Sequence, residues 1–334
     1  MRIAVVSDAW KPQVNGVVRT WENVRSALET AGHDLLFLHP GRFRAIPCPR
    51  YPSIELAVLP YRRLARELAA FAPQAVHIAT EGPLGLAARR WCRRRGLPFT
   101  TSFHTQFAEY LRVYFGFPEA LGYAFLHWFH SAAARTLVPT ASVSERLGER
   151  GFRNLVVWGR GVDTRLFRPD ADGHIDLPRP ICLNVGRVAP EKNLAAFASL
   201  DLPGTKVIVG EGPASRRLRA AFPDVVLTGY LPDERLAGWY AAADVFVFPS
   251  RTDTFGNVML ESLASGTPVA AYPVTGPRDV LRPGETGVLD DDLGRAALAA
   301  RHLDRSTCRR FAESLPWTAI ADDLVAQLEP AYAS

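Results

Sequence analysis

At 334 residues, 48% of them hydrophobic, the chain has apolar mass for two cores, and two domains of ~150 residues each are expected. Its net charge of +5 is unevenly spread: residues 1–165 hold 22 Lys/Arg against 12 Asp/Glu, and the remainder 17 against 22, so only one half suits a polyanionic surface. Cys48, Cys92, Cys182 and Cys308 are scattered without a C-x-x-C pair, and the longest apolar stretch, 120–129, is too short to span a bilayer. With a strand pattern rather than a leader at the start, these features exclude a disulfide framework, a zinc site and a membrane span, and a cytoplasmic location is expected.

The first half alternates strand and helix. Residues 2–7 read as a strand, and a loop, 8–18, leads into a helix over 19–31 closed by Gly32. Strands follow at 34–38, 56–59, 75–79, 99–102 and 136–138, with helices between them: a doubly wound parallel sheet. The first loop lacks the GxGxxG of dinucleotide enzymes, which removes the support for a nicotinamide oxidoreductase. Gly16 stands where backbone could approach a phosphate; its plainer alternative is a turn glycine. His104, just after the strand 99–102, is placed for catalysis or for bonding a loop.

Two further stretches of this half bear on partners. LAARRWCRRRG at 86–96 packs five arginines and a tryptophan into one short helix, and 109–129 is dense in aromatics. Together they suit an anionic membrane surface, the alternative being a solvated arginine face over core aromatics. No nucleic-acid module is visible, and no nucleic-acid partner is expected.

Residues 170–180, rich in Pro, Asp and Gly, read as a linker. The pattern restarts with a strand at 181–185 and Gly186-Arg187. Lys192 lies near the start of a helix running to Leu200. Two cations at a strand–helix junction suit a diphosphate clamp, Arg187 by its fork and Lys192 as a point charge, against the alternative of two surface charges with Glu191 offsetting one. Strands at 207–209 and 225–228 and a helix over 233–242 follow.

A buried strand, 245–248, then ends in a polar loop, and a helix over 255–265 is stopped by Gly266. The turn Phe255-Gly256-Asn257 aims backbone N–H groups beyond the strand ends, where an anion or sugar would sit. Asp253 and Glu261 bracket it. Asp253 has the alternative of an N-terminal cap and Glu261 that of a solvated face beside Asn257 and Ser265. Asp290, Asp291 and Asp292 read as a strand end and helix cap rather than a metal site. An apolar stripe over 317–328 is able to fold back on the first domain.

PQVNGVVRT near the start, SFHTQF, RGVDTRLFRP, GR followed by EKN, GEGP, and Asp253-x7-Glu261 with ASGTPV occur in that order over nearly the whole chain. This set resembles the retaining glycosyltransferases of family 4. The resemblance implies the α/β GT-B fold, two Rossmann-like doubly wound parallel-sheet domains facing a central cleft. The expected divisions are 1–168 for acceptor, 169–180 as linker, 181–315 for nucleotide sugar, and 316–334 crossing back.

The resemblance also implies roles. Gly16 lies against the donor's diphosphate, and His104 contacts the sugar near its reacting carbon. Arg187 and Lys192 bind the diphosphate, and Gly212 lines the nucleotide side. Thr254, Phe255, Gly256 and Asn257 seat the donor, Asp253 holds sugar hydroxyls, and Glu261 holds the ribose. Asn15 and Thr105 face the acceptor. The family usually carries glutamate where this chain has Asp253. No metal or cofactor is implied. The wording is similar to glycolipid-forming members, so transfer from a UDP-sugar to a lipid hydroxyl such as diacylglycerol, at the inner membrane face, is expected. GDP-mannose-dependent mannosyl transfer, and nucleotide-sugar binding without turnover, are the alternatives.

Overall fold

A computed structural model describes residues 1–13, 15–48, 51–104, 118–172 and 175–331, the side chains of 51–53 excepted. The chain forms two compact units, Met1–Arg160 with the C-terminal stretch from Trp317, and Gly161–Pro316. The first unit therefore ends ahead of the expected division at 168. The expected linker belongs to the second unit, with Ala171, Ile175 and Leu177 packed against that unit's core.

In the first unit β1 (Arg2–Val6), β2 (Asp34–Leu38), β5 (Ala75–Ile78), β6 (Thr100–Ser102), β7 (Arg135–Val138) and β8 (Leu155–Val157) make one parallel sheet ordered β2-β1-β5-β6-β7-β8. β1 and β5 are buried almost throughout, as a strand covered on both faces requires. The expected strand at 56–59 is not in this sheet. β4 (Tyr51–Ala57) instead pairs antiparallel with β3 (Ala45–Cys48) as a separate hairpin. Glu55, in its middle, would be costly in a sheet interior buried on both sides. β8 escapes sequence reading because it is an edge strand of three residues with Val157 half exposed.

Helices cover both faces. On one, the helix Gly16–Thr30 and the C-terminal helix Trp317–Gln327 enclose Ile3, Val5, Trp21, Leu28 and Trp158, with Leu324 contributed by the C-terminal helix. Trp158 Nε1 donates to Ile320 O at 3.0 Å, tying the end of the chain to this unit. On the other face the helices Tyr61–Phe71, Pro83–Arg95 and Glu119–His130 bury Leu64, Leu68, Leu84, Trp91 and Phe129.

The second unit repeats the plan. β9 (Ile181–Val185), β10 (Thr205–Val209), β11 (Val226–Gly229), β12 (Val245–Phe248), β13 (Val269–Ala271) and β14 (Gly287–Leu289) form a parallel sheet ordered β11-β10-β9-β12-β13-β14. In each sheet the first strand is central and the order reverses beside it, at β1/β5 and at β9/β12. Loops leaving the carboxyl ends there splay apart and open a crevice. That geometry decides where chemistry can be placed.

At the first of these points Asp8 follows β1 and is consumed structurally. Its carboxylate accepts from Leu84 N at 2.8 Å, Gly85 N at 3.2 Å and Thr80 Oγ1 at 2.9 Å, capping the helix Pro83–Arg95. A Cβ on Gly82 would lie 2.4 Å from Asp8 Cγ, so glycine is required there. Burial pushes the Asp8 carboxyl up to about 6, in opposition to these hydrogen bonds. A carboxyl whose pKa is higher folded than unfolded contributes stability that is present below the unfolded value and lost as pH rises through 6. Urea unfolding should therefore show a fall between pH 4 and 6.5, of about 3 kcal/mol from this group, that Asp8→Asn removes.

Candidate active site

The crevice of the second unit is built by the loops after β9 and β12. Past Val185 the chain turns through Gly186 (φ +152°) into Arg187 and Val188. Val188 N donates to Glu211 O at 2.9 Å and Ala214 N to Val188 O at 3.0 Å, so the loop after β10 lies directly against it. Cβ atoms on Gly210 and Gly212 would sit 2.0 Å from Gly186 O and 2.3 Å from Val188 O. The GEGP glycines are thus explained by close approach of protein backbone; Gly212, expected to line the nucleotide side, faces a carbonyl of its own chain.

The helix expected from Lys192 is a 3-10 turn, Pro190–Lys192, followed by Asn193 in a left-handed conformation (φ +53°) and the short helix Leu194–Ala198. This kink carries the site. Asn193 Nδ2 donates to Pro249 O at 3.1 Å, holding the two loops together, and Lys192 Nζ donates to Asp253 Oδ1 at 2.6 Å. Both side chains are largely enclosed, Lys192 26% and Asp253 14% exposed. The second carboxylate oxygen, Asp253 Oδ2, is buried and meets no donor among the described residues.

Asp253 is not the cap of the following helix, as its plainer reading had it. The helix runs Asn257–Ala264, shorter than expected, and its N-cap is Gly256 at φ +87°. A glycine is needed there, because a Cβ would crowd Phe248 and Met259 at 3.0 Å. Thr254, Phe255 and Asn257 are part-buried around this turn. Gly276, after β13, seats its Cα against Asp253 O and Phe255 O, bracing the turn from behind.

Glu261 is not on a solvated face. It is buried, and Tyr240 OH donates to its Oε2 at 2.9 Å. Tyr240 was not evident from the sequence, where it is one aromatic in an amphipathic helix. Arg187 is half-buried; burial lowers its pKa and Glu191 nearby opposes that shift. Chemically this crevice offers two cations, a helix N-terminus and a carboxylate with an open acceptor. That is a seat for a diphosphate beside a group rich in hydroxyls.

In the first unit His104 follows β6. Its Nε2 receives the Trp21 Nε1 proton at 2.9 Å, and Arg160 Nη2 lies 3.0 Å from its Nδ1. With Nε2 accepting from Trp21, the neutral ring carries its one proton on Nδ1 toward the Arg160 guanidinium, and a second proton would have to displace the Trp21 N–H. Burial first, and Arg160 next, hold its pKa well below the ordinary histidine value. Arg160 is itself buried, pushed down to about 9, with its guanidinium also donating to the carbonyls of Trp158 and Gly159 at 2.8 Å. Neither Trp21 nor Arg160 carries a site signal in the sequence beyond Arg160's place at the start of the RGVD segment.

Asn15, expected to face the acceptor, caps the helix Gly16–Thr30: its Oδ1 accepts from Val17 N and Val18 N at 3.0 Å. Gly16 is that helix's first residue, and its carbonyl accepts from Thr20 Oγ1 at 2.7 Å. Thr105 lies outside the described residues. Asp290 is bridged to Arg295 at 2.6 Å and Asp292 caps the helix Leu293–Ala300. Among the described residues no group of three or more His, Cys, Asp or Glu is placed to share an ion.

Comparison with known proteins agrees with this layout. Residues 14–166 match the family model described as Glycosyltransferase Family 4, and residues 179–304 that of Glycosyl transferases group 1. The chain is 34% identical to a GDP-mannose-dependent alpha-mannosyltransferase of Mycolicibacterium smegmatis, over 98% of this chain and 97% of that one. It is 27% identical to the alpha-monoglucosyldiacylglycerol synthase of Streptococcus pneumoniae, over 81% and 71%. Among solved structures, sucrose-phosphate synthase from Thermosynechococcus elongatus superimposes with a TM-score of 0.77 at 22% identity, covering 97% of each chain, a likeness of fold.

The packing under the β9 loop yields a direct test. Gly212→Ala should push the Val188 carbonyl aside, costing about 1–3 kcal/mol by overpacking. A thermal melt should drop by several degrees, whereas Gly148→Ala, in a helix with open space around its Cα, should keep the melt or raise it slightly.

Proposed function

The chain belongs to the family 4 glycosyltransferases, with their GT-B fold, and from that premise we propose that it transfers a hexose-type sugar from a nucleotide diphosphate sugar to a lipid hydroxyl, with retention of configuration. The observation that carries this reading is the Lys192–Asp253 pair at the β9/β12 crevice, with Asp253 Oδ2 buried beside it and without a donor among the described residues. Leaving-group departure builds negative charge on the diphosphate. Arg187, Lys192 and the helix start at Asn257 would stabilise that charge. Asp253 would accept from a sugar hydroxyl.

In this reading the acceptor oxygen bonds the anomeric carbon on the face the diphosphate leaves. The C–O bond to phosphate breaks with its electron pair going to the phosphate oxygen, which takes the acceptor's proton. No enzyme nucleophile, metal or cofactor enters. His104 serves as a fixed, uncharged ring, its protonation opposed by Trp21 and Arg160. Glu261, anchored by Tyr240, would hold the ribose.

GDP-mannose is the donor to test first, since the mycobacterial relative aligned over nearly the whole chain carries that specificity in its name. This moves the expected UDP preference to second place. A diacylglycerol-type acceptor is supported by the pneumococcal relative. No helix among the described residues is long and apolar enough to cross a membrane, so contact with the lipid would be made at the surface. All four cysteines are free, as suits the reducing cytoplasmic face of the membrane.

Thermal melts with GDP, UDP, ADP and their sugar conjugates test the donor. Ligand at a hundred times Kd adds about 2.7 kcal/mol, which raises Tm by roughly 5 °C or more. Lys192→Ala should abolish that rise, and silence across the panel would reject the clamp. Donor binding without transfer to any acceptor would leave a nucleotide-sugar-binding protein. Proton NMR of the first-formed product should show the donor's α configuration kept; a β product would reject retention.

A further inference from the structure

The three helices on one face of the first sheet turn Leu64, Leu68, Leu84, Trp91 and Phe129 inward. Trp91, the aromatic of the arginine-rich helix, is 2% exposed and belongs to the core rather than to a membrane-facing surface. The outward side of the same layer nonetheless presents large apolar groups. Leu59 is 90% exposed, Leu121 55%, Trp128 48% and Leu86 37%. Leu59 also adopts φ +47°, a left-handed conformation costly for leucine, so its display is held against both hydration and backbone preference.

These groups adjoin one another through arginines. The guanidinia of Arg90 and Arg94 lie over the Tyr61 ring at 4.9 and 5.7 Å, linking the helix Pro83–Arg95 to the chain just beyond Leu59. Arg89 stacks on Trp128 at 3.8 Å, linking the same helix to Glu119–His130, and the Phe125 ring stands 6.0 Å from Trp128. The helices Tyr61–Phe71 and Pro83–Arg95 carry eight arginines and a single glutamate, Glu67, itself bridged to Arg42 and Arg63.

Single exposed leucines need no explanation, but exposed apolar groups on neighbouring elements that arginines link through their aromatic rings do. Arginine stems can lie along apolar surface while their heads meet phosphate, and tryptophan favours the headgroup boundary. From this arrangement we infer that the face presenting Leu59, Leu86, Leu121 and Trp128 with Arg90 and Arg94 docks the chain on an anionic lipid bilayer. The inference rests on the proposed lipid acceptor for its purpose; its test is independent of that reading.

The experiment is co-sedimentation of the full chain with phosphatidylcholine vesicles, with and without phosphatidylglycerol, at low and high salt. Binding should require the anionic lipid and fall with salt. Arg90→Gln with Arg94→Gln should weaken it roughly thirtyfold, at about one surface charge's contribution each. Leu121→Ser with Trp128→Ser should weaken it at least tenfold or so, through lost apolar insertion. Quenching by brominated lipid should disappear in the milder Trp128→Phe.

The arginine double variant should keep the melting point, and both double variants should keep the donor-induced shift and transfer to an acceptor dispersed in detergent. Wild type that stays unbound, or variants that bind as wild type does, would overturn the docking face. Transfer in detergent without vesicle binding would overturn the face and leave the enzyme reading standing. Vesicle binding without any nucleotide response would do the reverse.

Discussion

A parallel strand covered by helices on both faces admits a polar side chain only where neighbours satisfy it, as they do His77 and Asn184, so groups that are to meet a ligand must collect beyond its carboxyl end. In this chain β1, β5, β9 and β12 are such strands, and both sheets reverse order beside their first strand. The loops after β9 and β12 are thereby set side by side. Lys192 and Asp253, 61 residues apart in sequence, meet at 2.6 Å only because of that adjacency. The kink at Asn193, the left-handed Gly256 and the bracing Gly276 all serve to hold this one ion pair at the strand ends.

Opposed glycines do the local work. Gly210 and Gly212 let one strand-end loop lie on another at a distance no side chain would allow, and Gly82 lets a carboxylate reach a helix N-terminus. In a sequence a glycine signals close approach without saying what approaches. Gly212 shows the ambiguity: read as a nucleotide-side residue, it meets Val188 O. Asn15 carries a second role of this kind: its Oδ1 caps the helix Gly16–Thr30.

Charge is arranged on a different logic in the two units. In the second, the cations at the crevice are enclosed: Lys192 is paired with Asp253 and Arg187 is half-buried. In the first, arginines spread over an outer helical layer, and buried ones are used to stiffen: Arg89 on the carbonyls of Trp128 and Phe129, Arg160 on His104. The returning helix adds Asp322 and Asp323 to the basic unit, so its surplus of positive charge belongs to one helical layer rather than to the whole unit.

Sequence alone determined the two-fold repetition of strand and helix, the strands Ile181–Val185 and Val245–Phe248, the helix Asp233–Ala242, the place of Arg187, Lys192 and Asp253 in loops beyond strand ends, and that of Glu261 inside the helix that follows. These are local matters: a buried strand reads as a continuous apolar run, and loop chemistry lies where the run stops. Tertiary structure decided what each group meets. It moved Tyr51–Ala57 out of the sheet, buried Glu261 against Tyr240, exchanged Trp91 for Trp128 on the surface, and clamped His104 between Trp21 and Arg160. Periodicity tells which side of an element is apolar, but the element that covers that side is chosen by strand order and helix packing, which no single stretch of sequence contains.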